Sequence, residues 1–125
     1  MSVSIVIENA KGEVLLARRA ISPDIGSWHL VGSFILKEET IEQCIKRVME
    51  KELGLKSKRW RAALMGVFDN LKKDPRGHVV DIIYRIRTNT VPRPTKETRE
   101  VKFFKTLPPK IGFDHRATLR ALGYR

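Results

Sequence analysis

Runs and alternations of apolar residues divide the chain into short strands and two helical stretches. Ser2–Glu8 (SVSIVIE) and Glu13–Arg18 (EVLLAR) read as strands, and the turn residues Asn9–Gly12 between them predict a hairpin. Val14, Leu15 and Leu16 run together, as in a strand covered on both faces. Ala20–Ser27, with Pro23 and Gly26, reads as a loop, and the apolar, glycine-containing stretch Trp28–Leu36 leads into a helix. Ala62–Phe68 and Val79–Arg87 predict two further strands around a polar loop carrying DPRG at Asp74–Gly77. Thr88–Thr98, with Pro92 and Pro94, reads as a loop, and Val101–Lys105 as a closing strand. Pro108–Pro109 breaks the chain before a last helix from about His115 to Leu122, with Asp114 as its expected cap. This order of elements predicts an α/β layered domain with a mixed sheet, and a length of 125 residues suits one domain over 1–125.

The stretch Thr40 to Leu55 (TIEQCIKRVMEKELGL) carries the helical period most clearly, with Thr40 as the expected cap. Ile41, Cys44, Ile45, Val48 and Met49 form one apolar stripe at about 100° per residue, and Glu52 lies near its middle. One reading is that the stripe simply ends, since Gly54 stops the helix two residues later. The other is that Glu52 reaches water, pairs with a cation, or holds a metal, because an ionised carboxylate on an apolar face needs one of these.

Charge changes the picture. Twenty-five Lys and Arg against 14 Asp and Glu leave +11, with clusters at Lys56–Arg61 and Lys72–Lys73. Such a field favours anionic ligands (nucleotides, polyphosphates or RNA), while a basic surface serving solubility alone is the other reading. The charge is spread along the chain, which argues against a disordered nucleic-acid arm. No apolar run approaches the roughly 20 residues needed to span a bilayer. The start MSVSIVIENAKGEV lacks the features of a signal peptide, and the lone Cys44 excludes an internal disulfide and reads as a small buried hydrophobe. These features point to the cytoplasm and to no membrane partner.

The segment Ser33 to Leu55 resembles the Nudix box, G-x5-E-x7-R-E-U-x-E-E-x-G-U with U aliphatic. With Gly54 on the last glycine of that pattern, Glu39, Arg47, Met49, Glu52, Gly54 and Leu55 fall where it asks for E, R, U, E, G and U. The hairpin Ile5–Arg19 (IVIENAKGEVLLARR), Trp28–Ser33 (WHLVGS) and Val101–His115 (VKFFKTLPPKIGFDH) are also similar to the family, so the resemblance covers nearly the whole chain. It implies a Nudix-type α/β/α sandwich with a mixed β-sheet. Three positions depart: Ser33 replaces the first glycine, Val48 the Glu after the arginine, and Lys51 the first Glu of the pair. Of the three glutamates that follow the arginine in the box, only Glu52 remains, which argues against a multi-metal site of the usual kind.

GDP-mannose mannosyl hydrolases, a branch that also keeps only the last box glutamate, look closest in hairpin and box. What that resemblance implies is a metal held by Glu52 and the Gly32 carbonyl, with Glu97 about where the branch has a further, glutamine, ligand. Arg19 would contact the nucleotide phosphates. Thr98 stands near the place of that branch's catalytic histidine, Ser4 at its transition-state aspartate and Phe34 at its phosphate-binding arginine. No histidine lies between His78 and His115, so the sugar-transfer mechanism of the branch is not supported.

The resemblance implies a hydrolase of a nucleoside diphosphate linked to another moiety, such as a nucleotide sugar. The expected cofactor is Mg²⁺, with Mn²⁺ as the alternative, because a hard cation binds through one or two carboxylates plus substrate phosphates. Arg47 would orient a box glutamate, and Glu39 would act mainly in the loop. Lys51 reads either as an ammonium in place of one metal charge or as a solvent-facing lysine. Glu97 and Glu100, in the loop before Val101, are the candidates for the base. His78 and His115 read as structural, and His29 as packed. Two alternatives stay open: a catalytically impaired Nudix domain that binds nucleotide or RNA, and a nucleotide-sugar hydrolase attacking at the sugar carbon. Short domains of this family often pair, so a homodimer is a further expectation.

Overall fold

The computed structural model describes residues 1–20, 25–56, 60–70, 79–90, 92–93, 95–96 and 98–125. The expected DPRG loop, His78 and Glu97 lie outside these residues, as does the Pro23 part of the loop before Trp28. In chain order the elements are β1 (Ser2–Glu8), β2 (Val14–Arg19), β3 (Trp28–His29), β4 (Val31–Phe34), α1 (Ile41–Leu53), β5 (Ala63–Asn70), β6 (Val79–Arg87), β7 (Thr98–Phe104) and α2 (His115–Ala121).

β1 is the axis of the fold. It pairs antiparallel with β4 on one side and parallel with β6 on the other, and β6 carries β5 antiparallel. β2 follows β1 through the hairpin and pairs antiparallel with both β3 and β7. Successive side chains of a strand point to opposite faces. Val3, Ile5 and Ile7 accordingly pack against Cys44, Ile45, Val48, Met49 and Leu53 of α1. Val6 faces the other way, into a cluster with Leu16, Leu30, Ile83 and Leu119 of α2. A helix on each face explains why β1 is buried on both sides and why Ile5, Val6 and Ile7 run together. The result is a mixed α/β fold with the sheet between two helices, as expected. No helix among the described residues is long and apolar enough to cross a membrane.

α1 begins where its sequence says it should. Thr40 Oγ1 accepts from the Gln43 amide at 3.1 Å while the Gln43 side chain accepts from the Thr40 amide at 2.9 Å, a complete capping box. Gly54, at φ 65°, ends the helix in the left-handed conformation, and the Leu55 amide reaches back to the Met49 carbonyl at 3.0 Å.

Three expectations change in detail. Trp28–Leu36 divides into two strands, because His29 pairs with β2 and Val31 with β1. Leu30, at the change of partner, leaves its backbone to other groups. The closing strand begins at Thr98 rather than Val101, since β2 continues pairing to Arg19, so Glu100 lies on a strand and not in a loop. Asp114 stands at the N-cap position of α2 but its side chain makes no capping hydrogen bond.

Candidate active site

The site forms where β4 crosses the last turn of α1. Glu52 is only 9% exposed, and its Oε2 accepts the Gly32 amide at 3.0 Å. Gly32 sits opposite Ser4 in the antiparallel β1–β4 ladder, and a Cβ there would lie 2.4 Å from the Val3 carbonyl oxygen. Only glycine fits this close backbone approach. In an antiparallel strand the N–H and C=O of one residue point the same way, so the Gly32 carbonyl shares the Glu52 side of β4. The last carbonyls of α1, which have no partner inside the helix, are taken up by the following chain. Thr98 Oγ1 donates to the Glu52 carbonyl at 3.2 Å, and the Arg93 amide to the Leu53 carbonyl at 3.0 Å. Thr98 therefore secures the backbone that carries Glu52.

A second contact fixes the loop before α1. Arg47 grips both carboxylate oxygens of Glu39, Nε to Oε2 at 2.8 Å and Nη2 to Oε1 at 2.9 Å. The same guanidinium donates to the Phe34 carbonyl at 3.0 Å and to Ser33 Oγ at 3.1 Å. Glu39 also accepts the Leu36 amide at 3.1 Å. The Arg47 hydrogen bonds, with that amide, hold the Glu39 carboxyl down at about 2, and Glu39 raises Arg47 in return. Arg47 thus ties Glu39, and with it the loop before α1, to the helix.

Between β4 and α2 lies a small cleft of about 60 Å³ lined by Ser4, Arg19, His29, Leu30, Gly32, Ser33, Phe34, Glu52, Phe113 and His115. Volume of this order suits an ion with a few waters, with bulkier ligand parts at the rim. Glu52, Gly32 and Arg19 come together here, as do Ser4 and the half-exposed Phe34. The Arg19 guanidinium lies over the Phe113 ring, 5.3 Å from its centroid. Phe113 holds this position at φ 56°, unusual for an aromatic residue.

Two histidines read as packed or structural also line this cleft. His29 Nδ1 donates to the Leu30 carbonyl at 2.7 Å, and the Leu30 amide donates to His115 Nδ1 at 3.0 Å. The Leu30 backbone thus sets the Nδ1 of the two rings oppositely: its carbonyl requires a proton on His29 Nδ1, and its amide requires His115 Nδ1 to be unprotonated, which places that ring's proton on Nε2. The His115 contact joins positions 85 residues apart, so no local pattern signals it.

Other candidates lie elsewhere. Glu100 is exposed on β7, with its carboxylate 3.6 Å from Arg18, and is not a lining residue of the cleft. Lys51 is exposed on α1 and does not line it either. Glu97 lies outside the described residues. Val48, where the box has a carboxylate, is buried in the core against β1. No group of three or more His, Cys, Asp or Glu able to hold a metal occurs among the described residues. What is present, one buried carboxylate beside the edge that carries the Gly32 carbonyl, fits a hard cation that keeps waters and takes further oxygens from a phosphate ligand.

The chain is similar to known proteins along nearly its whole length. The family model of the NUDIX domain matches residues 1–120. The chain is 31% identical over 110 residues to an ADP-ribose pyrophosphatase of Methanocaldococcus jannaschii, covering 86% of this chain and 64% of that protein's length. It is similar in structure to a MutT NUDIX hydrolase from Burkholderia pseudomallei, with a TM-score of 0.81 and 26% identity over 95% of this chain and 94% of the other. It is also similar to the NUDIX domain of Shewanella oneidensis NrtR, solved in complex with ADP ribose, at a TM-score of 0.79 and 22% identity over 95% and 82%. With its fold, its box register and this match along nearly the whole chain, the protein belongs to the Nudix family.

Proposed function

We propose that the chain hydrolyses an ADP-ribose-type nucleoside diphosphate, using a divalent cation and water that attacks phosphorus. The observation that carries this reading is Glu52: a buried carboxylate fixed by the Gly32 amide in a cleft shared with Arg19, in a chain similar to an ADP-ribose pyrophosphatase. That similarity favours ADP-ribose over GDP-mannose as the substrate class.

The pyrophosphate of such a substrate carries concentrated negative charge. Glu52 and the Gly32 carbonyl would hold the cation, Mg²⁺ or Mn²⁺, which when bound neutralises that charge. Arg19 meets a phosphate oxygen from the other wall, and its guanidinium keeps its place through Phe113. The Arg47–Glu39 pair keeps the loop after β4 in register with α1, which preserves the spacing between Gly32 and Glu52. Hydrolysis then forms a bond from the water oxygen to phosphorus and breaks the bridging P–O bond. The products are AMP and ribose 5-phosphate.

A second reading has one observation in its favour. Val48 is buried in the core, so the box retains a single carboxylate in the cleft and the domain would bind its nucleotide without turnover. ADP-ribose incubated with Mg²⁺ or Mn²⁺ separates the two. AMP formation that is lost in Glu52→Gln supports the hydrolase, and binding without products supports the binding domain.

A further inference from the structure

We infer that Asp81 is a positioning residue that acts through Ser4, turning its hydroxyl into a pure acceptor for the attacking water. This rests on the hydrolase reading above. Asp81 is on β6, directly opposite Ser2 in the parallel β1–β6 ladder, and is 9% exposed. Ser2 Oγ donates to Asp81 Oδ1 at 2.8 Å and Ser4 Oγ donates to Oδ2 at 2.7 Å. These three polar residues interrupt strands whose other buried members on β1 are Val3, Ile5, Val6 and Ile7. Polar groups so placed need mutual hydrogen bonds to be tolerated, and an apolar trio would cost less.

The position of Ser4 supplies the reason for keeping them. Ser4 faces Gly32 across the β1–β4 ladder and lines the cleft with Glu52. A serine hydroxyl has one proton and two lone pairs. A carboxylate can only accept, so the proton is committed to Asp81 and only lone pairs remain for the cleft. A lone pair beside the Glu52 carboxylate selects a donor, and water is the donor small enough for this space. Held through its hydrogen, the water keeps its own lone pair for phosphorus. Asp81 thus contributes from behind a charge that Val48 and Lys51 do not provide from α1.

The test is steady-state hydrolysis of ADP-ribose by Ser4→Ala, Asp81→Asn and the double variant, with thermal unfolding of each. Each single change should lower kcat about 10- to 100-fold, the effect of one hydrogen bond to a charged partner, with KM within about threefold. The double variant should be no slower than the slower single one, because the two residues act as a unit. Ser4→Ala leaves Ser2 on Asp81, so it reports even if Asp81→Asn does not fold. An active Ser4→Ala whose only change is a lower Tm overturns the inference and leaves the hydrolase reading standing. A wild-type protein as inert as Glu52→Gln overturns both.

Discussion

The Gly32 amide and the Glu52 carboxylate meet at 3.0 Å, joining the edge of the sheet to the last turn of α1 across 20 residues of chain. This contact decides where the one box carboxylate in the cleft points. It depends on the absence of a side chain at position 32, where a Cβ would collide with the Val3 carbonyl oxygen at 2.4 Å and press on Ser4 Cα and Oγ at 3.0 Å.

Gly32→Ala is therefore expected to push β4 away from β1 and misalign Glu52. Overpacking of this kind costs about 1–3 kcal/mol, enough to lower Tm by several degrees. Thermal unfolding reads the first effect, and Mn²⁺ titration followed by electron paramagnetic resonance reads the second. A variant with wild-type Tm and Mn²⁺ affinity would show that the backbone can yield.

Glu39 gives the protein an acid-side signature. Its carboxyl is held at about 2 in the fold, mainly by the Arg47 hydrogen bonds, against an ordinary value of 4.5. A folded value below the unfolded one means that the contribution to stability is complete above about 4.5 and is lost as pH falls toward about 2. Glu39→Gln should flatten the pH dependence of stability in that window and leave its slope at neutral pH unchanged. Urea unfolding at pH values on either side of the window is the measurement. An unchanged slope would mean that the latch does not form in solution.

Cys44 is fully buried in the core that α1 shares with β1, and burial pushes its thiol up to about 11, with the neighbouring Glu39 adding to the shift. The native thiol should stay unmodified by a disulfide reagent at pH 8 and react in full once urea unfolds the chain. Rapid native reaction would contradict this packing.

Gly54 closes α1 at φ 65°, and its Cβ position is open space apart from Arg93 Cβ at 4.0 Å. Gly54→Ala should therefore cost backbone strain alone, about 1–2 kcal/mol, without a steric clash. Chemical denaturation measures it, and a neutral substitution would imply that the helix end relaxes at no cost.

Much of this architecture is legible in the sequence because it is set by local chemistry. The Thr40 cap, the Gly54 stop and the apolar stripe with Glu52 inside it are all interactions within a few residues of one another. Glu39 and Arg47 stand at their box positions in the sequence, but that the two meet, eight residues apart across loop and helix, is a finding of the fold. Long-range partners are not legible in this way. The closing strand gains Thr98, Arg99 and Glu100 because β2 offers them an edge, so a stretch that reads as loop becomes a strand and Glu100 pairs with Arg18. His29 and His115 take the carbonyl and the amide of Leu30 only because β3 and β4 change partners there. Asp81 meets Ser2 and Ser4 from 79 and 77 residues away, through a parallel pairing that no turn announces.

The most direct test of this account is the product pattern from ADP-ribose hydrolysed with Mg²⁺ or Mn²⁺ in ¹⁸O-labelled water, with Glu52→Gln in parallel. Attack at phosphorus with Glu52 holding the cation yields AMP and ribose 5-phosphate, with label in a phosphate and turnover abolished in the variant. Release of ADP and ribose with label in the sugar, or turnover that survives Glu52→Gln, would contradict it.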